Sequence, residues 1–134
     1  MIKAINHFTV NVVNRKESDD FYSDFFGFQY LESVDMGDSF ITYYALPGGV
    51  RLELIDSYGE ESRSTNGQCT RGCYRHLAFE VDSLDDYYKR CAKLKIPVIM
   101  EPVLQEKLFC RAMLIQDPNG VEIELTEKCR DIAE

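Results

Sequence analysis

The chain has 134 residues, 45% of them hydrophobic, which is enough for one domain with a buried core. Its net charge of -8 argues against nucleic acid and anionic membrane surfaces as partners, since both need a basic face. No apolar run approaches the roughly 18 residues that span a bilayer, and the opening "MIKAINHFTV" is too short and polar for a signal peptide. The expected location is therefore cytoplasmic. The five cysteines, Cys69, Cys73, Cys91, Cys110 and Cys129, fit that compartment as reduced thiols. Cys69 and Cys73 are four apart, but no second pair completes a zinc site.

In chain order, "INHFTVNVVN" (residues 5–14) alternates with period two and predicts a strand. "ESDDFYSDFFGF" places Phe21, Tyr22, Phe25 and Phe26 on one helical stripe, and Gly27 is a natural stop. "SFITYYALP" and "PGGVRLELID" predict two strands joined by a Pro-Gly turn. The polar stretch "SYGEESRSTNGQCTRG" (57–72) reads as a linker. "YRHLAFEVDS" (74–83) predicts a strand. "SLDDYYKRCAKLKIP" predicts a helix, with Ser83 and Asp86 as an acidic capping box and Leu84, Tyr87, Tyr88, Cys91 and Leu94 on its stripe. "LFCRAMLIQDP" and "PNGVEIELTE" predict the last strands, and "EKCRDIAE" a frayed helix or no structure.

This order repeats. "PGGVRLELID" and "PNGVEIELTE" share Pro, Gly, Val, Glu and Leu at matched positions, and the two early strands each carry a histidine at their third residue. The expected architecture is α+β: one domain, 1–134, of two βαβββ modules, 1–56 and 73–128. Alternation puts Arg51, Glu53 and Ile55 on one face and Leu52 and Leu54 on the other; Glu122, Glu124 and Thr126 share a face likewise. His7 and His76 are the only histidines, and Glu53 and Glu124 are the matched carboxylates. A pseudo-twofold between modules would bring the four to a common axis. Two imidazoles and two carboxylates form a mixed N/O donor set that suits Zn, Ni, Co, Mn or Fe.

Three segments, "NHFTVNVVNRKESDDFYSDFFGF", "YRHLAFEVDSLDDYYKRC" and "DPNGVEIELTE", resemble the vicinal-oxygen-chelate family, the glyoxalase/bleomycin-resistance/dioxygenase superfamily. The resemblance covers nearly the whole chain. It implies a curled mixed sheet around a metal cleft, with His7, Glu53, His76 and Glu124 as ligands of one divalent cation (Ni, Zn, Co or Mn). The fourth ligand, Glu53, sets the chain apart from the extradiol dioxygenases, which use two His and one carboxylate. It also differs from methylmalonyl-CoA epimerases, which tend to have Gln there. A His/Glu/His/Glu set resembles glyoxalase I. That resemblance implies conversion of a thiol hemithioacetal of methylglyoxal into a 2-hydroxyacyl thioester through an enediolate, with Glu124 the favoured base and Glu53 a partner ligand and possible second base. The alternatives are another metal enzyme of this architecture, such as an epimerase or a thiol transferase to an epoxide antibiotic, and a metal-free small-molecule-binding or resistance protein.

Two positions depart from the glyoxalase I pattern. Asn11 stands where an Arg often holds a glutathione carboxylate, and Ser57 stands where an Asn is usual. Arg71 and Arg75 lie near the second His outside the usual register, so the thiol is left open. With Asn11, the cations Arg63, Arg71, Arg75, Lys107 and Arg111 are the candidates for contact with an anionic substrate. The resemblance also implies a homodimer in which His7 and Glu53 of one chain meet His76 and Glu124 of the other.

Overall fold

A computed structural model describes residues 1–59 and 70–128. The chain divides into two compact units, Met1–Arg63 and Ser64–Glu134. The first contains β1 (His7–Asn11), α1 (Arg15–Asp20), a π-helical turn (Phe21–Phe25), β2 (Gln29–Asp35), β3 (Ser39–Ala45) and β4 (Arg51–Ser57). The second contains β5 (Leu77–Glu80), α2 (Leu84–Leu94), β6 (Val98–Gln105), β7 (Cys110–Gln116) and β8 (Glu122–Lys128). Each unit is one βαβββ module with a four-stranded mixed sheet, ordered β1-β4-β3-β2 in the first and β5-β8-β7-β6 in the second. The first and last strands of each module pair in parallel, and the other pairs are antiparallel. A parallel pair needs a long crossover, and the helix of each module supplies part of it.

Alternation then decides the two faces of each sheet. In the first, Leu52, Leu54 and Tyr44 are buried with Phe21, Tyr22 and Phe25 of the aromatic turn. The Tyr44 hydroxyl donates to Asp19 Oδ1 of α1 at 2.8 Å, which ties the helix to this face. In the second, Met113, Ile115, Ile123 and Leu125 are buried with Leu84 and Cys91 of α2. The Ser83 hydroxyl caps α2 by accepting from Asp86 N at 3.2 Å, as its capping box predicts. Leu125 is fully buried in an inner strand. Leu125→Ala should cost about 2–5 kcal/mol, because the cavity adds to the lost transfer energy. Chemical denaturation would check this, and an unchanged midpoint would contradict the placement.

Three expectations change. The first helix stops at Asp20 and continues as a wider turn in which Phe26 N bonds to Phe21 O at 3.3 Å, where four aromatic rings crowd within six residues. His76 lies just before β5 rather than inside it. Cys73 is disulfide-bonded, against the expectation of reduced thiols throughout. Cys91 and Cys110 are free, and burial pushes the Cys91 thiol up to about 11, which keeps it an unreactive core residue. Most of the expected linker, including Arg63, and nearly all of the tail lie outside the described residues. Among the described residues, no helix is long and apolar enough to cross a membrane.

Candidate active site

Each module delivers its late glutamate from a tight turn. In the second, Asp117 organises "DPNGV": its Oδ1 accepts from Asn119 N and Val121 N, both at 2.8 Å, and Gly120 takes φ 87°. A side chain at Gly120 would meet the penalty of the left-handed region. In the first, Leu46 N bonds Val50 O at 2.8 Å around Gly48 and Gly49, which also have positive φ. The strands that follow, β4 and β8, lie between two neighbours and are fixed on both edges.

In the first unit, Thr9 lies opposite Glu53, His7 opposite Arg51, and Tyr43 opposite Glu53 on the other side. Alternation puts His7, Thr9 and Asn11 on the same face as Arg51, Glu53 and Tyr43, away from α1. His7 Nε2 lies 3.9 Å from Glu53 Oε1. The Thr9 hydroxyl donates to Glu53 Oε1 at 3.0 Å, and the Tyr43 hydroxyl donates to Glu53 Oε2. That bond, with burial, raises the Tyr43 pKa above the ordinary tyrosine value, so the phenol stays a donor at neutral pH. A β-bulge at Leu31 places Tyr30 opposite Tyr44 but Glu32 opposite Tyr43. Glu32 thereby reaches Arg51 at 2.6 Å, while the Arg51 guanidinium lies 3.8 Å above the Tyr43 ring.

The second unit repeats the pair with different support. His76 Nε2 lies 2.6 Å from Glu124 Oε2, and its Nδ1 lies 2.8 Å from Glu122 Oε2. Arg75 Nε approaches the same Glu122 oxygen at 3.5 Å. Leu114 lies opposite Glu124, where the first unit has Tyr43. Ala78 lies opposite Glu124 on the other side, where the first unit has Thr9. Among the described residues, His76 is therefore the one polar side chain that holds Glu124.

Among the described residues, no group of three or more His, Cys, Asp or Glu side chains gathers into a metal-holding cluster. The four matched residues stand instead as two pairs, one in each unit. The donor chemistry of each pair fits a borderline divalent cation: an imidazole nitrogen faces a carboxylate oxygen. The 3.9 Å separation in the first pair falls in the range of about 3–4 Å expected for two donors roughly 2.1 Å from one ion, whereas the 2.6 Å contact in the second is a direct hydrogen bond and falls short of it.

The candidate substrate residues are scattered. Asn11 shares the His7 face at the end of β1. Arg71 is exposed in a bend, and Lys107 is exposed in the turn between β6 and β7. Arg75 is largely exposed on the Glu122 carboxylate. Arg111 belongs to the opposite face, where its guanidinium meets Asp85 at 3.2 Å and Glu127 at 3.8 Å beside the α2 N-terminus. Sequence alternation does mark Thr9 and Glu122 as sharing faces with His7 and Glu124. It does not show which strands pair, so the Thr9–Tyr43 clamp on Glu53 and the His76–Glu122 contact emerge only from the fold.

Known proteins agree with this architecture. The chain is 26% identical over 133 residues, 95% of its length and 80% of the relative's, to the mitochondrial methylmalonyl-CoA epimerase of Dictyostelium discoideum. The crystal structure of SMU.1112c superposes with a TM-score of 0.83 at 21% identity, covering 95% of this chain and 100% of that one. The trypanothione-dependent glyoxalase I of Leishmania major superposes with a TM-score of 0.75 at 22% identity, covering 95% and 88%. Residues 4–125 match the model of the Glyoxalase/Bleomycin resistance protein/Dioxygenase superfamily, and with its two βαβββ modules the chain belongs to that superfamily.

Proposed function

We propose that the chain is a metal-dependent lyase/isomerase of the glyoxalase I type. Its substrate would be the hemithioacetal of methylglyoxal with a small thiol, and its product a 2-hydroxyacyl thioester. The observation that supports this most is the unequal support of the two matched carboxylates. Two hydroxyls hold Glu53, whereas Glu124 rests on one imidazole. A carboxylate that must collect a proton at C1 and return it at C2 has to move; a fixed ligand must not. This unequal support favours Glu124 as the base and Glu53 as the fixed ligand.

In this reading His7, Glu53, His76 and Glu124 together hold one divalent cation. When bound, the cation acts as a Lewis acid on the substrate oxygens and eases loss of the neighbouring proton. Glu124 accepts that proton at C1 and returns it at C2. Thr9 and Tyr43 keep Glu53 in place, and Asn11 on the same face is a polar contact for substrate. The second reading is an epimerase, favoured by the Dictyostelium relative, and it needs the same proton transfer beside a thioester carbonyl. Glu53 favours the first reading, since the epimerases tend to have Gln there. We also propose a homodimer, a twofold pair being the commonest homo-oligomer.

The test uses metal-stripped protein reloaded separately with Ni, Zn, Co or Mn. Methylglyoxal is offered with glutathione and other small thiols, and thioester formation is followed by absorbance. In parallel, methylmalonyl-CoA is incubated in deuterium oxide and its mass followed. Thioester formation is the expected result. Deuterium uptake without it would replace the first reading by the second, and the absence of both with every metal would overturn the pair.

A further inference from the structure

We propose that Arg51 is a specificity-determining residue: its guanidinium receives a carboxylate of the substrate's thiol half, so that an anionic thiol adduct is selected over a neutral one. The proposal rests on the reading of the His7–Glu53 face as the substrate side of the first unit. Arg51 lies directly opposite His7 in the pairing of β1 with β4, two residues before Glu53 and on the same face as both. It is the one Lys or Arg in the four strands of the first sheet. The charge is thus built into the sheet rather than carried on a loop.

The guanidinium is held flat. Its Cζ lies 3.8 Å from the centre of the Tyr43 ring, and its Nη2 donates to Glu32 Oε1 at 2.6 Å. Stacking and the planar fork fix its orientation, so little freedom is lost when a carboxylate docks in two parallel bonds. Its donors are not used up. Among the described residues Glu32 is the one acceptor that meets them, and Nε is buried with no partner. An unmet buried N–H is uncommon and asks for an explanation. The Arg51 and Glu32 side chains are 34% and 56% exposed, and an ion pair that open is worth little, so Glu32 orients the cation without shutting out a second carboxylate. The matched residue of the second unit is Glu122, of opposite charge, which is occupied by His76 and Arg75. The duplicated halves therefore differ toward an anion, which the first attracts at this position and the second repels.

The first test is binding without turnover. S-methylglutathione and its diethyl ester are titrated by calorimetry into the purified wild type, Arg51→Leu and Arg51→Lys. The chain's net charge of -8 favours the ester, which lacks both carboxylates, so a preference for the acid needs a local cation. Wild type should bind the acid about tenfold more tightly than the ester, the lower range for a hydrogen bond to a charged group. Arg51→Leu should abolish that preference, and Arg51→Lys, which keeps the charge but loses the fork, should retain part of it. Equal affinities in wild type, no binding of the acid, or an undiminished preference in a folded Leu variant overturns the proposal. If the Leu variant does not fold, the Lys variant decides: a reduced preference supports the role and a wild-type preference overturns it. Turnover with methylglyoxal separates this proposal from the reading beneath it. Arg51→Leu should raise KM for glutathione about tenfold, more than for glutathione diethyl ester, and lower kcat far less. Acid preference that is lost with Arg51, but with no thioester formed by wild type, keeps the subsite and defeats the glyoxalase reading. Thioester formation that Arg51→Leu leaves equal for acid and ester, as before, keeps the reading and defeats the subsite.

Discussion

Glu124→Gln is expected to lower turnover of any accepted substrate by more than about 10²–10⁴-fold, the usual contribution of a positioned base. The amide retains an oxygen donor and nearly the same volume but has little affinity for a proton. The loss exceeds that of the base alone because the donor facing His76 Nε2 also loses its charge. Glu53→Gln should cost less, since the base remains and the amide oxygen can still accept from one of the two hydroxyls, Thr9 or Tyr43, that hold Glu53. Steady-state and single-turnover rates of both variants, with metal content measured in parallel, check this. A Glu124→Gln enzyme with near-normal turnover at full metal occupancy would show that the base is elsewhere.

The second large effect is a recovery. His7→Ala and Glu124→Ala chains, each nearly inactive alone, should regain about a quarter of wild-type activity when equal amounts exchange at random. The basis is the proposed twofold dimer in which each cation is held by the His7–Glu53 pair of one chain and the His76–Glu124 pair of the other. Half of the dimers are then mixed. Each mixed dimer concentrates both lesions in one site and leaves the other intact. If each chain completes its own site, every site carries a lesion and nothing is regained. Proven chain exchange without recovery would therefore overturn sharing between chains and leave the ligand assignment standing.

The modules were legible because their signals are local. Turn residues, period-two strands and the Ser83 cap each act within a few residues, and duplication presents them twice. The faces of Glu53 and Glu124 were legible for the same reason, being set by alternation with Leu52, Leu54, Ile123 and Leu125. What lies opposite a residue was not. Tyr43 meets Glu53 through the register of β3 on β4, and Glu32 reaches Arg51 only because Leu31 bulges out of the pairing. Register reflects the whole sheet, so residues 10 or 19 positions apart in sequence become neighbours without any local mark. The widening of the first helix at Phe21 was hidden too, since α and π turns bury much the same aromatic stripe.

In both units the chemistry and the fold are written on alternate letters of the same strand. Leu52 and Leu54 bracket Glu53, and Ile123 and Leu125 bracket Glu124; all four brackets are nearly or wholly buried. A carboxylate placed this way inherits the rigidity of a packed core without being part of it. The two can therefore vary independently over evolutionary time. Exchange of the outward-facing letter changes which side chain the strand presents, while the buried letters keep the sheet in register. Such interleaving gives one scaffold room to acquire many chemistries by single replacements.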